Sequence, residues 1–528
     1  MERLVSKIGV RSEATIQSDV RLLLLDSDLG LTDVQLETQV GDEHKRIDVE
    51  MGCTVIEVKR SIASPTAMSK AAKQLSGYVV SRQGEMGQRY VGILTDGERW
   101  VAFHEVDGDL VEATRHLAST GEAGATALIN WLEGVLATKT SIKPTPDEIQ
   151  DRLGADSSSH ALDYASLAAL YADNKADPTV QLKRDLWANL LRSALGTQFS
   201  DDDALFLEHT LLVNSAEIIA HLVLGVDVTR LSPRTLLEGE QFAAAGLYGV
   251  VDRDFFDWVL EVPGGDGFVT SLARRLARFD WSAVEHDVLK VLYESVIKPD
   301  VRKSLGEYYT PDWLANRVVQ EVVSDPLHQR VLDPACGSGT FVFYAVRRFL
   351  AAADEAGFPL SEAMAKVSSQ VMGIDLHPVA VALARVTYLL ALGRERLGAA
   401  DRGTLSVPIY LGDSLGWQQE NDIFSVGMLV IPTEVGDQFF SEPLRLPEHL
   451  LADAARFDNI VEALVNESGI AASRKTDRLS DGAARRLALA PDDLAVLNQN
   501  FQRLKQLHEA YRNHIWSYYI RNVSRPHG

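Results

Sequence analysis

The segment Val331-Leu332-Asp333-Pro334-Ala335-Cys336-Gly337-Ser338-Gly339-Thr340-Phe341 constrains this chain more than any other. A short apolar run ends in an acid, a loop of small residues follows, and an apolar helical run comes next, from about Thr340 to Leu350. Gly337 and Gly339 let the backbone turn tightly, and let a ligand approach where a Cβ would exclude it. Taken alone, such a loop is shared by many strand-to-helix turns. Here the strand ending in an acid recurs twice. Val371-Met372-Gly373-Ile374-Asp375 is followed by helical periodicity over Pro378–Leu392, and Ile409-Tyr410-Leu411-Gly412-Asp413 comes after that. Strands alternating with helices over residues 301–415 predict a doubly wound parallel sheet. Asp333, Asp375 and Asp413 then share the edge at which such sheets bind ligands. An acid at the second strand end suits a ribose diol, and the third can accept from an adenine amine.

With these residues in view, DPACGSGTF preceded by Leu305-Gly306-Glu307-Tyr308-Tyr309-Thr310-Pro311 resembles the amino-methyltransferases that modify adenine N6 in DNA. The resemblance implies S-adenosylmethionine as cofactor. It implies that Tyr309, Thr310 and Pro311 line the methionine side, and that Asp333, Ala335, Gly337 and Gly339 form the loop beneath the cofactor. Asp375 would hold the ribose hydroxyls and Asp413 the adenine ring. Cys336 is a loop residue of this motif with no nucleophilic role. The competing reading is a nucleotide-binding sheet of another kind.

Residues 1–110 read as a separate α/β region. Ile16–Leu25 has helical periodicity, and strand-like runs follow at Arg46–Val49, Thr54–Lys59, Tyr90–Leu94 and Trp100–His104, the last after the turn Thr95-Asp96-Gly97. Residues two apart on a strand face the same way, so Glu57 and Lys59 share a face, and a hairpin brings Asp48 beside them. Two carboxylates can hold Mg²⁺, which prefers hard oxygen ligands. The lysine can position the attacking water and stabilise charge on a phosphorus centre. The D-x8-E-x-K spacing resembles the PD-(D/E)xK nuclease core, with Ile47 where that core often has proline. Glu13 on the first helix and Gln74 on the helix after the hairpin stand where that fold often adds an acid and a glutamine. The alternative is a solvated strand face.

The remaining sequence sets the organisation. Residues 138–158 are polar and carry Pro, Gly and Ser, which predicts a linker. Residues 159–300 have Leu, Ala and Val at helical spacing, and 416–528 are mostly helical and polar. The expected domains are therefore a nuclease-like region at 1–110, a helix and linker at 111–158, a helical connector at 159–300, and the front of a methyltransferase domain at 301–528. The predicted fold class is multidomain α/β. It has a restriction-endonuclease-like core, a helical connector and an incomplete Rossmann-like S-adenosylmethionine-dependent sheet.

No apolar run reaches membrane-spanning length and the N-terminus has no basic-then-apolar leader pattern, so no membrane partner and a cytoplasmic setting are expected. The two cysteines, Cys53 and Cys336, are too few and too far apart for a zinc site or a disulfide framework. A net charge of −22 argues against a nucleic-acid partner if charge is read as a single sum. Binding depends on local patches, however, and Lys45–Arg46, Lys59–Arg60 and Arg503–Arg525 are locally basic.

A nuclease, a helical connector and an adenine methyltransferase on one chain resemble the bifunctional restriction–modification enzymes, with double-stranded DNA as partner. That family orients the poorly nucleophilic adenine amine with an Asn/Asp/Ser-Pro-Pro-aromatic loop after the fourth strand. No such loop occurs in the 528 residues, although His514-Ile515-Trp516-Ser517-Tyr518-Tyr519-Ile520-Arg521-Asn522 resembles the helix preceding it. The expectation is a chain truncated, prepared as a fragment, or split. A second polypeptide would supply that loop and target recognition. Three functions stay open: a restriction–modification or phage-defence enzyme, a methyl-donor sensor gating the nuclease without transfer, and an inactive fragment.

Overall fold

The computed structural model describes residues 2–5, 10–27, 29, 35–40, 45–51, 53–87, 89–106, 108–195, 202–282, 284, 286–304, 309–412, 427–431, 443–452, 454–472, 476–511 and 520. The chain forms two compact units. The first holds Met1–Asp173 and Pro263–Ile297, and the second holds Asn174–Val262 and Lys298–Gly528. The class is mixed α/β, with several small sheets among many helices.

In the first unit six strands follow sequence order across one sheet: β1 (Gln35–Val40), β2 (Lys45–Met51), β3 (Thr54–Val58), β4 (Val91–Thr95), β5 (Arg99–Val106) and β6 (Asp109–Leu117). Only β3 and β4 run parallel, as their crossover through the helix Pro65–Met86 requires. Ser64 starts that helix by accepting from the Ala67 N–H at 3.2 Å, with Pro65 in the first turn. Gly87 ends it at φ 62°, a left-handed conformation that suits glycine. Both faces of the central strands β3, β4 and β5 are largely buried. Leu75 and Val79 of the crossover helix cover Val55, Leu94 and Val101. On the other face, Ile16, Val20 and Leu24 of the helix Glu13–Asp26 and Leu128 and Leu132 of the helix Gly121–Leu136 cover Ile56, Ile93 and Trp100.

The expected linker at 138–158 is largely ordered structure. Ile142 bridges to Phe279, and the helix Pro146–Leu153 packs on the helix Val288–Val296. Thr145 caps that helix at 3.3 Å and Pro146 opens it, so residues that look like a loop are the start of a helix. The expected connector at 159–300 is likewise divided. Residues 263–297 return to the first unit, where Arg278 and Arg152 both pair with the buried Glu133. Arg275 pairs with Asp163 at 2.9 Å and donates to the Gly134 carbonyl at 3.1 Å.

The second unit carries β7 (Leu247–Tyr248), β8 (Val331–Asp333), β9 (Val371–Asp375), β10 (Leu405–Ser406), β11 (Ile409–Leu411), β12 (Met428–Ile431) and β13 (Leu444–Pro447). Three of these form a parallel sheet in the order β11-β9-β8. β7 and β10 pair in parallel, and β12 and β13 pair antiparallel beside the packed helices Ala454–Ala472 and Pro491–Tyr511. The helix Pro378–Leu392 is buried on almost every side. It touches β9, β11 and the helices Thr340–Glu355 and Asp203–Val223. Its apolar sequence all round fits that position. The described part of His514–Asn522 is Ile520 alone, and the rest of that segment lies outside the described residues.

Candidate functional site

The strand ends of β8 and β9 converge on the glycine loop. Asp333 closes β8, and its Oδ1 accepts from the Ala335 N–H at 3.2 Å. Asp375 closes β9, and its Oδ2 accepts from the Gly337 N–H and its Oδ1 from the His377 N–H, each at 2.8 Å. The loop is thus pinned to the second strand through Asp375, and again by the Cys336 N–H donating to the Ile374 carbonyl at 2.9 Å. Each carboxylate oxygen keeps a further lone pair beyond the one engaged.

Both glycines have conformations that side chains resist. Gly337 has φ 53° and Gly339 has φ 95°. A Cβ on Gly339 would lie 3.2 Å from both Ala384 Cα and Ala384 Cβ, so this glycine lets the helices Thr340–Glu355 and Pro378–Leu392 approach closely. A Cβ on Gly337 would meet only Tyr309 Cε1, at 3.9 Å. The Tyr309 ring therefore stands near the loop, next to Thr310. Pro311 then begins the helix Asp312–Val322.

The electrostatics suit a polar ligand. Burial raises the Asp333 carboxyl above its ordinary range, the Ala335 N–H partly offsets this, and the Asp375 charge adds to the rise. Asp333 Oδ2 is buried without a hydrogen-bond partner, an arrangement that costs free energy unless a donor arrives. Burial likewise raises Asp375, against the N–H bonds of His377 and Gly337. These features fit S-adenosylmethionine: an acceptor left open, a loop with two left-handed glycines, and an aromatic ring beside it. Burial, with the Asp375 and Asp333 charges, pushes the Cys336 thiol well up, consistent with a packing role. Asp413 lies outside the described residues. The Gly412 N–H donates to the Asp375 carbonyl at 2.9 Å, so β11 ends beside β9.

Sequence reasoning passed over His377. Its ring accepts from the Ala380 N–H at 3.4 Å, capping the helix that follows Asp375. Burial holds its pKa down, at about 3. The signal was available, because a polar residue before Pro378 marks a helix start.

In the first unit, Asp48, Glu57, Lys59 and Glu13 form one electrostatic group. Asp48 Oδ2 accepts from the Val58 N–H at 2.7 Å, which fixes it across the hairpin from Glu57. Glu57 is 1% exposed and its Oε1 accepts from Lys59 Nζ. Burial and then the Asp48 charge raise its pKa to about 7, with Glu13 adding to the rise and Lys59 opposing it. Burial lowers the Lys59 pKa, but its bond to Glu57 and the three acids raise it overall. Glu13 Oε1 accepts from the Arg60 N–H at 3.4 Å. Gln74 is on the crossover helix and its amide donates to Tyr78 Oη at 3.0 Å rather than to the acids. Glu57 Oε2 is buried without a partner, which fits an incoming cation. Asp48 and Glu57 would be its ligands, although no group of three His, Cys, Asp or Glu side chains is placed for a metal among the described residues.

Residues 284–421 match the family described as N-6 DNA Methylase. Over 126 residues the chain is 29% identical to the adenine-specific methyltransferase PglX of Streptomyces coelicolor, covering 22% of this chain and 10% of that protein. The chain thus spans about a tenth of the length of this curated relative. Faint structural likeness extends to a DrdV–DNA complex, at TM-score 0.28 and 18% identity, covering 78% of this chain and 39% of that one. A nuclease-deletion mutant of the Type ISP restriction-modification enzyme LlaGI, bound to a DNA substrate mimic, gives TM-score 0.28 and 14% identity over 57% of this chain and 24% of that one. The type IIG restriction endonuclease BpuSI gives 0.23 and 15%, over 74% and 41%. In the matched segment the chain is similar to N-6 DNA methylases. No described helix is long and apolar enough to cross a membrane.

Proposed function

We propose that this chain serves S-adenosylmethionine-dependent methylation of adenine N6 in double-stranded DNA, joined to Mg²⁺-dependent DNA cleavage, in restriction–modification or phage defence. The observation that carries the first half is the loop between Asp333 and Asp375, with its buried open acceptor, inside the segment that matches N-6 DNA methylases. When bound, S-adenosylmethionine supplies an electrophilic methyl group. Asp333 would accept from a donor of the cofactor's amino-acid part. Gly337 and Gly339 keep the loop free of side chains, and Tyr309, Thr310 and Pro311 flank the methionine side. Asp375 would hold the ribose hydroxyls and Asp413 the adenine. The acceptor that draws hydrogen from the target amine, and the surface that reads the DNA sequence, are assigned to a second polypeptide or a further region.

For cleavage, a Mg²⁺ ion would supply charge stabilisation and a bound water. Asp48 and Glu57 would hold it, Lys59 would orient the water and stabilise the developing charge, and Glu13 and Gln74 would flank them. The β2–β3 hairpin with its crossover to a parallel β4 supports this reading.

A second reading is a methyl-donor sensor that gates the nuclease without transfer. It keeps the cofactor loop pinned at Asp333 and Asp375 and needs no acceptor for the target amine. Three measurements on the purified chain separate the readings: equilibrium binding of S-adenosylmethionine, transfer of labelled methyl to duplex DNA, and Mg²⁺-dependent cleavage with and without the cofactor. Binding lost in Asp333→Asn, with no transfer by the chain alone, is expected. Transfer by the chain alone would refute the need for an outside acceptor. No binding would sink the methyl-donor assignment.

A further inference from the structure

The strands β2 and β3 part at the two carboxylates assigned to the cation. Their antiparallel pairing runs Met51–Thr54, Glu50–Val55 and Val49–Ile56, and stops there. The next pair in register would be Asp48 with Glu57. Neither strand has ended at that point. β2 continues against β1 through Ile47, Arg46 and Lys45, and β3 continues against β4 through Glu57–Leu94 and Val58–Thr95. Each strand keeps its outer neighbour while the two separate from each other.

Side chains take up backbone groups at this fork. The Val58 N–H donates to Asp48 Oδ2 at 2.7 Å. The Asp48 carbonyl accepts from Gln17 Nε2, also at 2.7 Å. A carbonyl oxygen only accepts, so the amide nitrogen of Gln17 must be the atom that faces it. Gln17 is half-buried on the helix Glu13–Asp26, which packs on both β2 and β3. It stands one turn after Glu13, on the same face of that helix. Glu13 accepts from the Arg60 N–H at 3.4 Å, two residues past β3. One helix face thus holds β2 through Gln17 and the chain after β3 through Glu13.

Separation at this pair has a chemical use. Directly opposed residues of a closed antiparallel pair hold their Cβ atoms about 4.5–5.5 Å apart, and like charges there repel. Two carboxylates that share one ion need room for it between their oxygens, with metal–oxygen distances of about 2.0–2.1 Å for Mg²⁺. We propose that Gln17 is a positioning residue of the first unit: its bond to the Asp48 carbonyl keeps β2 parted from β3, so that Asp48 and Glu57 can take a divalent cation between them. This rests on the cleavage reading above. In this role Gln17 contacts no metal and acts through Asp48.

Calorimetric titration of the full chain with Mn²⁺, which takes the same oxygen ligands as Mg²⁺, tests this. Gln17→Met keeps the length of the side chain and removes the donor. Its Mn²⁺ affinity is expected to be about ten-fold weaker than wild type. In plasmid cleavage, the Mg²⁺ concentration giving half the maximal rate is expected to rise about ten-fold, while the rate at saturating Mg²⁺ falls less than about three-fold. A side chain that only stabilised the fold would lower the rate at every Mg²⁺ concentration and leave the half-maximal point in place. Asp48→Asn is the control for the site and should abolish Mn²⁺ binding. Unchanged hydrogen exchange in the helix Pro65–Met86 shows that the first unit stays folded. Should Gln17→Met not fold, Gln17→Asn, whose amide is one methylene short of the Asp48 carbonyl, takes its place with the same expectation. Mn²⁺ binding that is absent from wild type, or untouched by Asp48→Asn, would sink the metal reading and this proposal together. Binding that needs Asp48 but stays within about two-fold of wild type in Gln17→Met overturns the role of Gln17 alone. A fallen rate with an unmoved half-maximal point does the same.

Discussion

Gly337→Ala and Gly339→Ala place the same methyl group two residues apart, yet the structure gives them different costs. Both put an L side chain at positive φ, 53° and 95° respectively, which costs about 1–2 kcal/mol. At Gly337 the added Cβ meets nothing nearer than Tyr309 Cε1 at 3.9 Å, so only that backbone term applies. At Gly339 the Cβ falls 3.2 Å from Ala384 Cα and Cβ and 3.4 Å from Thr387 Cγ2. The optimum carbon–carbon separation is about 3.5–4.0 Å. Much of this contact is backbone of a buried helix, so relief means parting two packed helices, at about 1–3 kcal/mol more. The expected destabilisation is about 1–2 kcal/mol for Gly337→Ala and about 2–5 kcal/mol for Gly339→Ala. Because the protein has two units, a single unfolding midpoint would mix them. Native-state hydrogen exchange of the amides in Pro378–Leu392 reads the second unit directly. Exchange through opening should quicken about thirty-fold to several-thousand-fold in Gly339→Ala, and about ten-fold in Gly337→Ala. Equal effects, or a smaller one at Gly339, would refute the close-approach reasoning.

Three other outcomes follow from the geometry. Lys59→Ala should lower Mg²⁺-dependent cleavage by about a hundred-fold or more while leaving cofactor affinity unchanged, read by nicking of plasmid DNA and by calorimetry. Glu133→Ala should destabilise the first unit by about 3–5 kcal/mol, because Arg152 and Arg278 lose a shared buried anion; native-state hydrogen exchange of the amides in Gly121–Leu136 measures it. His160 is buried and its pKa is held to about 4, chiefly by burial. The unfolded chain therefore binds its proton first, and the stability this His contributes is present above about pH 6.5 and is lost as pH falls toward 4. His160→Gln should flatten that slope, so that wild type loses about 2 kcal/mol more than the variant between pH 7 and 5; identical slopes would show that His160 is not kept neutral by the fold.

What the sequence made legible was local. The strand, acid, glycine loop and helix around Asp333 and Asp375 are contiguous pieces, and Pro378–Leu392 is helical over the range its periodicity predicts. The shared face of Glu57 and Lys59 followed from strand alternation. What alternation could not give was the tertiary cover that raises Glu57 to about 7. Thr145 and Pro146 misled because the same residue types open helices and make loops. The Glu133–Arg278 pair spans 145 residues of sequence, and no window of local pattern contains it.

The return of residues 263–297 to the first unit has a genetic consequence. The backbone crosses between units at Asp173–Asn174, at Val262–Pro263 and at Ile297–Lys298. A gene deletion that removes residues 1–173 would not excise the first unit. It would strand the helices Gly265–Leu276 and Val288–Val296, with Arg275 and Arg278 stripped of Asp163 and Glu133. On the ribosome, the same layout keeps the six-stranded sheet waiting for its last helices until the part of the second unit encoded by 174–262 has already emerged. Recombination that swaps this module between relatives must therefore exchange two separate stretches of coding sequence at once, or carry the intervening helices along as passengers.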